Sequence, residues 1–307
     1  MKEQMKEANG IIVVNKPEGL SSHRVVNRIR NAYGTKTVGH CGTLDPLATG
    51  VLPVMVGRAV KASEFLMDHD KSYRAGIEFG YRTDSGDITG KVIERSEKPN
   101  PEFEEFKAVA ESFKGSYLQT PPMYSALKVD GMKLLTLARQ GIEVERQARE
   151  ITVYDIKASE QDGKFFIDVS CSRGTYIRTL CEDIAEKLGT FAVMSSLERT
   201  SVGQFDSSQA ISLDELDSLE PEERLERLVP VESVFTHLPI IKLVPFFEKL
   251  FKNGAEVYLK KIRAREAMEA PVGSLYRIYG EDGFFAVGET ALYRDGLALR
   301  IKKIFYC

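Results

Sequence analysis

Residues 39–52, which read GHCGTLDPLATGVL, form the stretch that most constrains how this chain can fold. Their three glycines lack a Cβ, so the backbone there can take positive φ values and a bulky ligand can approach it. Pro46 keeps the preceding residue out of the helical region, which places Asp45 on extended and stiff backbone. The stretch predicts a loop that presents one carboxylate in a fixed direction; a glycine-rich turn with a surface aspartate is the alternative.

The composition is that of a globular protein. With 307 residues, 43% of them hydrophobic and 28% charged, the chain is expected to form about two domains. Residues 1–9 mix Lys and Glu without an apolar segment, and the chain has no apolar run long enough for a membrane span, so neither a secretory signal nor a span is expected. The cysteines are scattered without a C-x-x-C pair, which predicts a reduced, cytoplasmic protein: Cys41, Cys171, Cys181 and Cys307.

Charge is distributed unevenly along the chain. The net charge of −3 argues against a protein that coats nucleic acid indiscriminately. Residues 16–61, however, carry seven basic and two acidic residues, whereas residues 206–232 carry two basic and nine acidic ones. The glycine-rich stretch lies in the basic part. This asymmetry fits a phosphate-bearing partner, and a solvated face of mixed charge is the alternative.

Hydrophobic periodicity predicts mixed secondary structure. A β-branched run at 10–15 indicates a strand, and apolar residues at helical spacing indicate helices at 22–33 and 177–188. Two alternating segments joined by Asp162-Gly163 indicate a hairpin within 151–171.

The pattern changes past His237. Short strands around one helix at 245–252, separated by glycine turns, predict a small and mostly β second domain. We therefore expect two domains, residues 1–236 and residues 237–307.

Familiar catalytic signatures are missing. The glycines of 34–39 have P-loop-like spacing but are followed by His40 rather than Lys, and no G-x-G-x-x-G follows a strand. A nucleophile made of His40 and Cys41 is disfavoured because adjacent residues point apart and no third group is identifiable. Metal-ligand spacing is also missing, so no metal is expected. What remains is an oriented carboxylate with aromatic and basic residues.

Six motifs occur in a recognisable order. They are residues 15–19 (NKPEG), 39–52, 71–73 (KSY), 121–128 (PPMYSALK), 173–180 (RGTYIRTL) and 195–200 (SSLERT). Together they resemble the motifs of the bacterial TruB family of tRNA pseudouridine synthases over nearly the whole chain. The C-terminal segment resembles a PUA RNA-binding domain, with weaker matches.

The resemblance implies a fold and a reaction. The fold would be the α+β pseudouridine synthase fold with a mostly antiparallel central sheet, followed by a small PUA-like β-barrel. The reaction would convert uridine 55 in the T loop of tRNA to pseudouridine by base flipping, with an accompanying tRNA-folding role. The family implies no cofactor and no metal. A monomer without obligatory protein partners is also expected, because nothing in the sequence demands an oligomer.

The resemblance also implies roles for particular residues. Asp45 matches the essential aspartate and would act as nucleophile or base at the ribose or uracil. Arg178, in the first turn of its helix, would pair with Asp45 and keep that carboxylate ionised. Tyr73 would stack on the flipped uracil, which contributes about 1–3 kcal/mol. Without the resemblance, Tyr73 would be interpreted as ordinary core.

Further residues would complete the pocket. Tyr176 would line it, Leu197 would close it with apolar surface, and His40 would displace the base or fill its place. Basic residues near the cleft are candidate phosphate contacts: Lys16, Arg58, Lys61 and Lys128.

The chain departs from the family pattern at three positions. Cys41 stands where the family commonly has Thr, Leu135 where it commonly has Tyr, and Glu198 where it often has a basic residue. The last two bear on RNA docking rather than on the reaction.

Two alternative functions remain open at this stage. One is a protein that binds and unfolds the T arm of tRNA without chemistry. The other is a catalytic subunit that depends on a guide RNA and partner proteins, which the lack of a long basic tail disfavours.

Overall fold

The computed structural model describes residues 8–98, 100–125, 127–129 and 131–306. The helices and strands up to residue 226 are β1 (Gly10–Lys16), α1 (Ser22–Ala32), β2 (Val38–His40), β3 (Thr49–Val56), α2 (Ser63–Met67), β4 (Lys71–Phe79), β5 (Tyr81–Thr83), β6 (Val92–Arg95), α3 (Phe103–Glu111), β7 (Gly115–Gln119), β8 (Lys128–Val129), β9 (Met132–Lys133), α4 (Leu134–Arg139), β10 (Arg149–Gln161), β11 (Lys164–Cys171), α5 (Ile177–Lys187), β12 (Ala192–Val202), β13 (Phe205–Asp206), β14 (Ile211–Ser212), α6 (Leu213–Ser218) and α7 (Pro221–Glu226).

The remaining elements form the C-terminal part of the chain. They are β15 (Ile240–Lys242), α8 (Pro245–Lys252), β16 (Val257–Tyr258), α9 (Leu259–Ile262), α10 (Arg265–Glu269), β17 (Leu275–Gly280), β18 (Gly283–Tyr293) and β19 (Gly296–Ile304). The prediction of one helix here was incomplete, because α9 and α10 also form. Both are short, four and five residues, and therefore too short to show helical periodicity in the sequence.

A ten-stranded sheet forms the core of the first part. Its order is β14-β1-β3-β12-β4-β11-β10-β7, with β2 added beside β3 and β13 beside β12. Within the described residues, every pairing in this sheet is antiparallel except β1 with β14 and β3 with β12. The predicted α+β class with a mostly antiparallel central sheet is confirmed.

Two helices bury the predicted apolar faces. Val25, Val26 and Ile29 of α1 are fully buried in one core cluster. Leu180 and Cys181 of α5 are fully buried in another, so Cys181 acts as a small apolar residue, as predicted. Both helices follow from an apolar stripe at helical spacing, which places one face against a sheet.

A second sheet of five strands lies in the C-terminal part, in the order β15-β17-β18-β19-β16. It is joined to the rest of the molecule by a shared apolar cluster in which Phe235 packs against Phe284 and Phe305, with ring centroids 6.0 and 5.4 Å apart. Arg277 adds an ion pair to Glu232 across the same boundary, 3.1 Å long. The predicted small β unit at the C-terminal end is confirmed.

The sequence pattern did not reveal β12, the strand that organises the centre of the sheet. It lies between β3 and β4, where Arg199 is the register partner of both Gly50 and Tyr73. Gly50 has φ +97°, and a Cβ at this position would overlap the main chain of Arg199. Only glycine therefore allows the end of the 39–52 loop to lie this close to β12.

No helix in the part of the chain that the structure describes is long and apolar enough to cross a membrane.

Candidate active site

The loop between β2 and β3 carries Asp45, and hydrogen bonds to Ser22 and Gly19 fix its backbone. Ser22, at the start of α1, bonds both backbone groups of Leu44: its Oγ donates to the carbonyl at 3.0 Å and accepts from the N–H at 2.9 Å. The Pro46 carbonyl accepts a bond from the Gly19 N–H at 2.8 Å. The backbone on both sides of Asp45 is thereby fixed, while the Asp45 side chain remains 41% exposed.

Lys16 belongs to this support rather than to an RNA-facing surface. It is fully buried, and its ammonium group donates to the carbonyls of Pro17, Leu20 and Pro46 at 2.9, 2.7 and 3.3 Å. Burial lowers the pKa of the Lys16 amine to about 8, although nearby Asp45 opposes this shift. The prediction that Lys16 contacts phosphate is wrong, because its charge is occupied by three backbone oxygens.

Arg178 faces Asp45 from the first turn of α5. Its Nη2 lies 3.1 Å from Asp45 Oδ2, so the expected ion pair is formed between residues far apart in the chain. The Arg178 side chain is 9% exposed, whereas that of Asp45 is open to solvent. One carboxylate is thus held by a buried guanidinium and still presents an oxygen to an incoming ligand.

Asp87 is a second carboxylate at the same guanidinium, and the sequence did not reveal it. Its Oδ2 lies 3.8 Å from Arg178 Nη1, and its side chain is only 8% exposed. Its Oδ1 accepts bonds from the Ser85 hydroxyl at 2.9 Å and from the Thr89 N–H and hydroxyl at 3.0 and 2.6 Å. The S-x-D-x-T spacing indicates such a turn, but not the partner across the site.

Two backbone oxygens complete the surroundings of Arg178. Nη1 donates to the Ser85 carbonyl at 2.9 Å and Nη2 donates to the Tyr124 carbonyl at 2.6 Å. The guanidinium therefore meets Asp45, Asp87 and two carbonyls at once. Its planar fork can satisfy this set, which a lysine ammonium could not reach from one position.

An apolar wall lies beside the carboxylate. Tyr73 on β4 and Leu197 on β12 are half-buried and pack against the same two core clusters. Their registers, Tyr73 opposite Arg199 and Leu197 opposite Ala75, place them diagonally on one face of the sheet. Burial raises the pKa of the Tyr73 hydroxyl, so the phenol is neutral.

Arg199 lies under this wall and was missed by sequence reasoning. It is 1% exposed, and its Nε donates to the Val51 carbonyl at 2.8 Å while Nη2 donates to the Gly42 carbonyl at 3.2 Å. A buried arginine joins the two ends of the 39–52 loop to β12. No signal in the sequence distinguishes it from a surface residue of a polar segment.

His40 and Cys41 do not form a nucleophilic pair. Cys41 is 1% exposed with its Sγ 3.9 Å from Met55 Sδ, and burial raises the pKa of its thiol to about 12. Burial, followed by the charge of Arg199, lowers the pKa of His40, so its imidazole is neutral at pH 7. Its Nδ1 is buried without a partner among the described residues. Cys41 is therefore a core residue beneath the loop.

Tyr176 is the N-cap residue of α5 and is half-buried. Burial is the main cause that raises the pKa of its hydroxyl. Its position two residues before Arg178 brings both to the same end of the helix. The predicted site residues thus come from elements that adjoin one another. The 39–52 loop carries Asp45, β2 carries His40, β4 carries Tyr73, the start of α5 carries Tyr176 and Arg178, and β12 carries Leu197.

The remaining predicted contacts are less central. Arg58 is exposed, and Lys61 donates to the Ile304 carbonyl at 3.0 Å, which ties it to the C-terminal sheet. The side chain of Lys128 lies outside the described part of the structure. Glu198 is exposed on β12, and Leu135 is half-buried on α4.

A cavity of about 510 Å³ lies behind α5, beside Glu182, Asp183 and Glu186 rather than at Asp45. Burial raises the pKa of Asp183 from 3.8 to about 6, while a bond from Tyr117 opposes the shift. The folded protein then binds this proton more tightly than the unfolded chain. Stability consequently falls as the pH rises from about 4 to about 6.

We expect Asp183→Asn to raise the free energy of unfolding by about 1–2 kcal/mol at about pH 8, and to change it little at about pH 4. This allows for partial solvent exposure of the carboxylate. Urea unfolding across this pH range measures the difference, with exposed Glu160→Gln, which is not among the groups that shift the pKa of Asp183, as the control. An equal effect of Asp183→Asn at both pH values would contradict the assignment.

Comparison with known proteins decides the family. Residues 30–177 match the description "TruB family pseudouridylate synthase (N terminal domain)", and residues 178–236 match "tRNA pseudouridylate synthase B C-terminal domain". A protein of Clostridium tetani (strain Massachusetts / E88) named tRNA pseudouridine synthase B is 40% identical over 92% of this chain and 95% of its own. The chain belongs to the TruB family. It is an isomerase that forms pseudouridine in tRNA.

Other TruB relatives agree. The tRNA pseudouridine synthase B of Alkaliphilus oremlandii (strain OhILAs) is 42% identical over 91% of this chain and 92% of its own. Among solved structures, an H/ACA RNP bound to a substrate RNA containing 2′-deoxyuridine has a chain with a TM-score of 0.68 and 25% identity, covering 97% of this chain and 85% of that chain. A Cbf5-Nop10-Gar1 complex has one with a TM-score of 0.66 and 26% identity, covering 98% and 86%.

Proposed function

We propose that this enzyme isomerises uridine 55 in the T loop of tRNA and that Asp45 carries the reaction. The observation behind this proposal is the ion pair between the half-exposed Asp45 and the buried Arg178, 3.1 Å long, beside an apolar wall. Such a site offers a charged oxygen to a reacting atom and a dry surface to a planar base. Both are needed for chemistry on a nucleotide taken out of its stack.

The reaction conserves all atoms of the uridine. The bond between C1′ and N1 breaks, the uracil turns, and a bond forms between C1′ and C5. The proton lost from C5 is balanced by the proton that N1 carries in the product. Asp45 acts at the ribose or at the uracil as nucleophile or base, and no group outside the nucleotide needs to be consumed.

Arg178 keeps Asp45 available for this step. A guanidinium 3.1 Å away fixes the direction of the carboxylate. Because Arg178 is itself held by Asp87 and two carbonyls, it does not have to reorganise when the substrate binds. Preorganised charge of this kind commonly supplies a large part of the rate enhancement of an enzyme.

The flipped uracil would lie against Tyr73, with Leu197 and Tyr176 closing the pocket. Tyr73 and Leu197 lie on one sheet face and pack against the same two core clusters, so an apolar slot requires little rearrangement. Stacking on Tyr73 would contribute about 1–3 kcal/mol. His40, with a neutral imidazole, would help to displace the base or fill the space that the base vacates.

We further propose that residues 237–307 form a PUA-like domain that binds the same tRNA. The support is the resemblance to PUA sequences together with basic side chains at 260–265 beside the C-terminal sheet. One solved relative is described as an H/ACA RNP bound to a substrate RNA, and the other as a Cbf5-Nop10-Gar1 complex. This chain would instead act on tRNA without a guide RNA or protein partner.

The test uses an unmodified tRNA transcript and the purified chain alone. We expect one pseudouridine, at position 55, and none in a transcript with cytidine at that position. Mapping of modified positions in both transcripts measures this. Product at another position would overturn the site assignment, and product only after addition of a guide RNA would overturn the stand-alone activity.

A further inference from the structure

Gln119, the last residue of β7, forms two hydrogen bonds with the backbone of Tyr176 at the start of α5. Its side chain is 2% exposed. Its Oε1 accepts a bond from the Tyr176 N–H at 2.8 Å, and its Nε2 donates to the Tyr176 carbonyl at 3.1 Å. The amide orientation is fixed, because the N–H requires an oxygen and the carbonyl requires an N–H group.

A second contact joins the same strand to the same helix. Gln119 Nε2 also donates to the Tyr117 hydroxyl at 3.0 Å, and that hydroxyl donates to Asp183 Oδ2 at 3.2 Å. Tyr117 and Gln119 are two positions apart on β7, so their side chains lie on the same face of the strand. The strand therefore holds α5 at two points, Tyr176 and Asp183, with Arg178 between them in the chain.

These two bonds from Gln119 are important because, among the described residues, no side chain caps the N-terminus of α5. Tyr176 is the N-cap residue with extended backbone, φ −101° and ψ 108°, and within the described part of the chain its side chain makes no capping bond. The direction in which the helix begins, and with it the position of the Arg178 guanidinium, then depends on groups outside the helix. Gln119 supplies that constraint from the sheet.

We propose that Gln119 is a positioning residue for the reaction, which sets Tyr176 and Arg178 in place relative to Asp45. The inference rests on the proposed roles of these three residues. Because Gln119 is buried, we expect it to act without touching the substrate. Its effect passes through the backbone of Tyr176 to the guanidinium 3.1 Å from Asp45.

The first test replaces the amide by an unbranched apolar side chain of similar length, Gln119→Met. We expect kcat to fall about 10- to 100-fold, because a small misplacement of a catalytic group costs this much. KM for tRNA stays close to that of the unchanged enzyme, so kcat and kcat/KM fall together. The control is Ser116→Ala, which removes the bond to Thr152 on the other face of β7, 2.8 Å long. Unchanged kcat in folded Gln119→Met overturns the inference.

A second variant keeps the test valid if Gln119→Met fails to fold. In Gln119→Glu the carboxyl group can donate to the Tyr176 carbonyl only when it is protonated, and burial favours that neutral form. We expect kcat relative to the same enzyme with Gln119 to rise as the pH falls from about 8.5 to about 6. Other ionisable groups around this position are Tyr117, Asp183 and Arg149. Because a bond from Gln119 contributes to the pKa of Asp183, the ratio is measured in the Asp183→Asn background, as Gln119→Glu with Asp183→Asn relative to Asp183→Asn alone. A ratio that does not change with pH overturns the inference.

Arg178→Met, assayed beside these variants, separates this inference from the proposed function. Loss of activity in Arg178→Met together with full activity in Gln119→Met overturns only the positioning role of Gln119. Full activity in Arg178→Met overturns the proposed role of Arg178 itself, and the positioning role with it.

Discussion

Asp45→Asn is expected to abolish pseudouridine formation while tRNA binding persists. The carboxamide has the shape of the carboxylate and can still accept a bond from Arg178, so the loop supported by Ser22 and Gly19 keeps its conformation. It lacks the charge that a nucleophile or base requires. We expect the single-turnover rate to fall by about 10⁴-fold or more, the scale of losing a nucleophile in other enzymes.

Two measurements on Asp45→Asn test whether chemistry is lost while binding is kept. The first is pseudouridine formed in a tRNA transcript under single-turnover conditions, and the second is the Kd for the same tRNA. Glu18→Gln, an exposed acid on the nearby 15–19 turn, controls for the removal of one negative charge near the RNA. A rate for Asp45→Asn within about tenfold of the unchanged enzyme would mean that another group carries the reaction.

The sequence predicted the elements whose residues repeat with one period. Both α1 and α5 carry an apolar stripe, and the fully buried Val25 and Leu180 confirm those stripes. The strand β12 was missed because its central residues, Ser195 to Ser201, are largely polar. In the structure one of these polar residues, Arg199, is buried in the sheet and donates hydrogen bonds to the carbonyls of Val51 and Gly42 in the 39–52 loop.

Partners distant in the chain explain the other misses. Lys16 was interpreted as a surface cation because lysine is seldom fully buried, but three carbonyls meet its ammonium group. Asp87 belongs to a turn that the sequence shows, yet its approach to Arg178 depends on how the 80–98 segment folds back on α5. Spacing along a chain gives the local turn and cannot give a contact across the fold.

Arg178→Met is expected to lower both activity and stability. It leaves buried Asp87 and half-exposed Asp45 without their shared cation, and it leaves the Ser85 and Tyr124 carbonyls without a donor. We expect kcat to fall about 10²- to 10³-fold and the free energy of unfolding to fall by about 3 kcal/mol. Steady-state assays on transcript tRNA and urea unfolding measure the two effects.

A second arginine, Arg74, serves as the control for Arg178. It shows whether the loss in Arg178→Met comes from removing any positive charge or from removing the contact with Asp45. Arg74 forms an ion pair with Asp168 at 2.9 Å, and both side chains are more than a third exposed. We expect Arg74→Met to change stability by less than about 1 kcal/mol and to leave kcat unchanged. Comparable losses in the two methionine variants would show that the effect of Arg178 is general electrostatics rather than contact with Asp45.

The double variant Arg178→Met with Asp87→Asn distinguishes the structural from the catalytic part. Removing the buried charge of Asp87 should restore most of the lost stability, because the cost of Arg178→Met lies mainly in leaving that carboxylate unpaired. Activity should not return, since Asp45 still lacks the guanidinium that orients it. Recovery of kcat together with stability would mean that Arg178 serves the fold alone, and that Asp45 needs no cation to react.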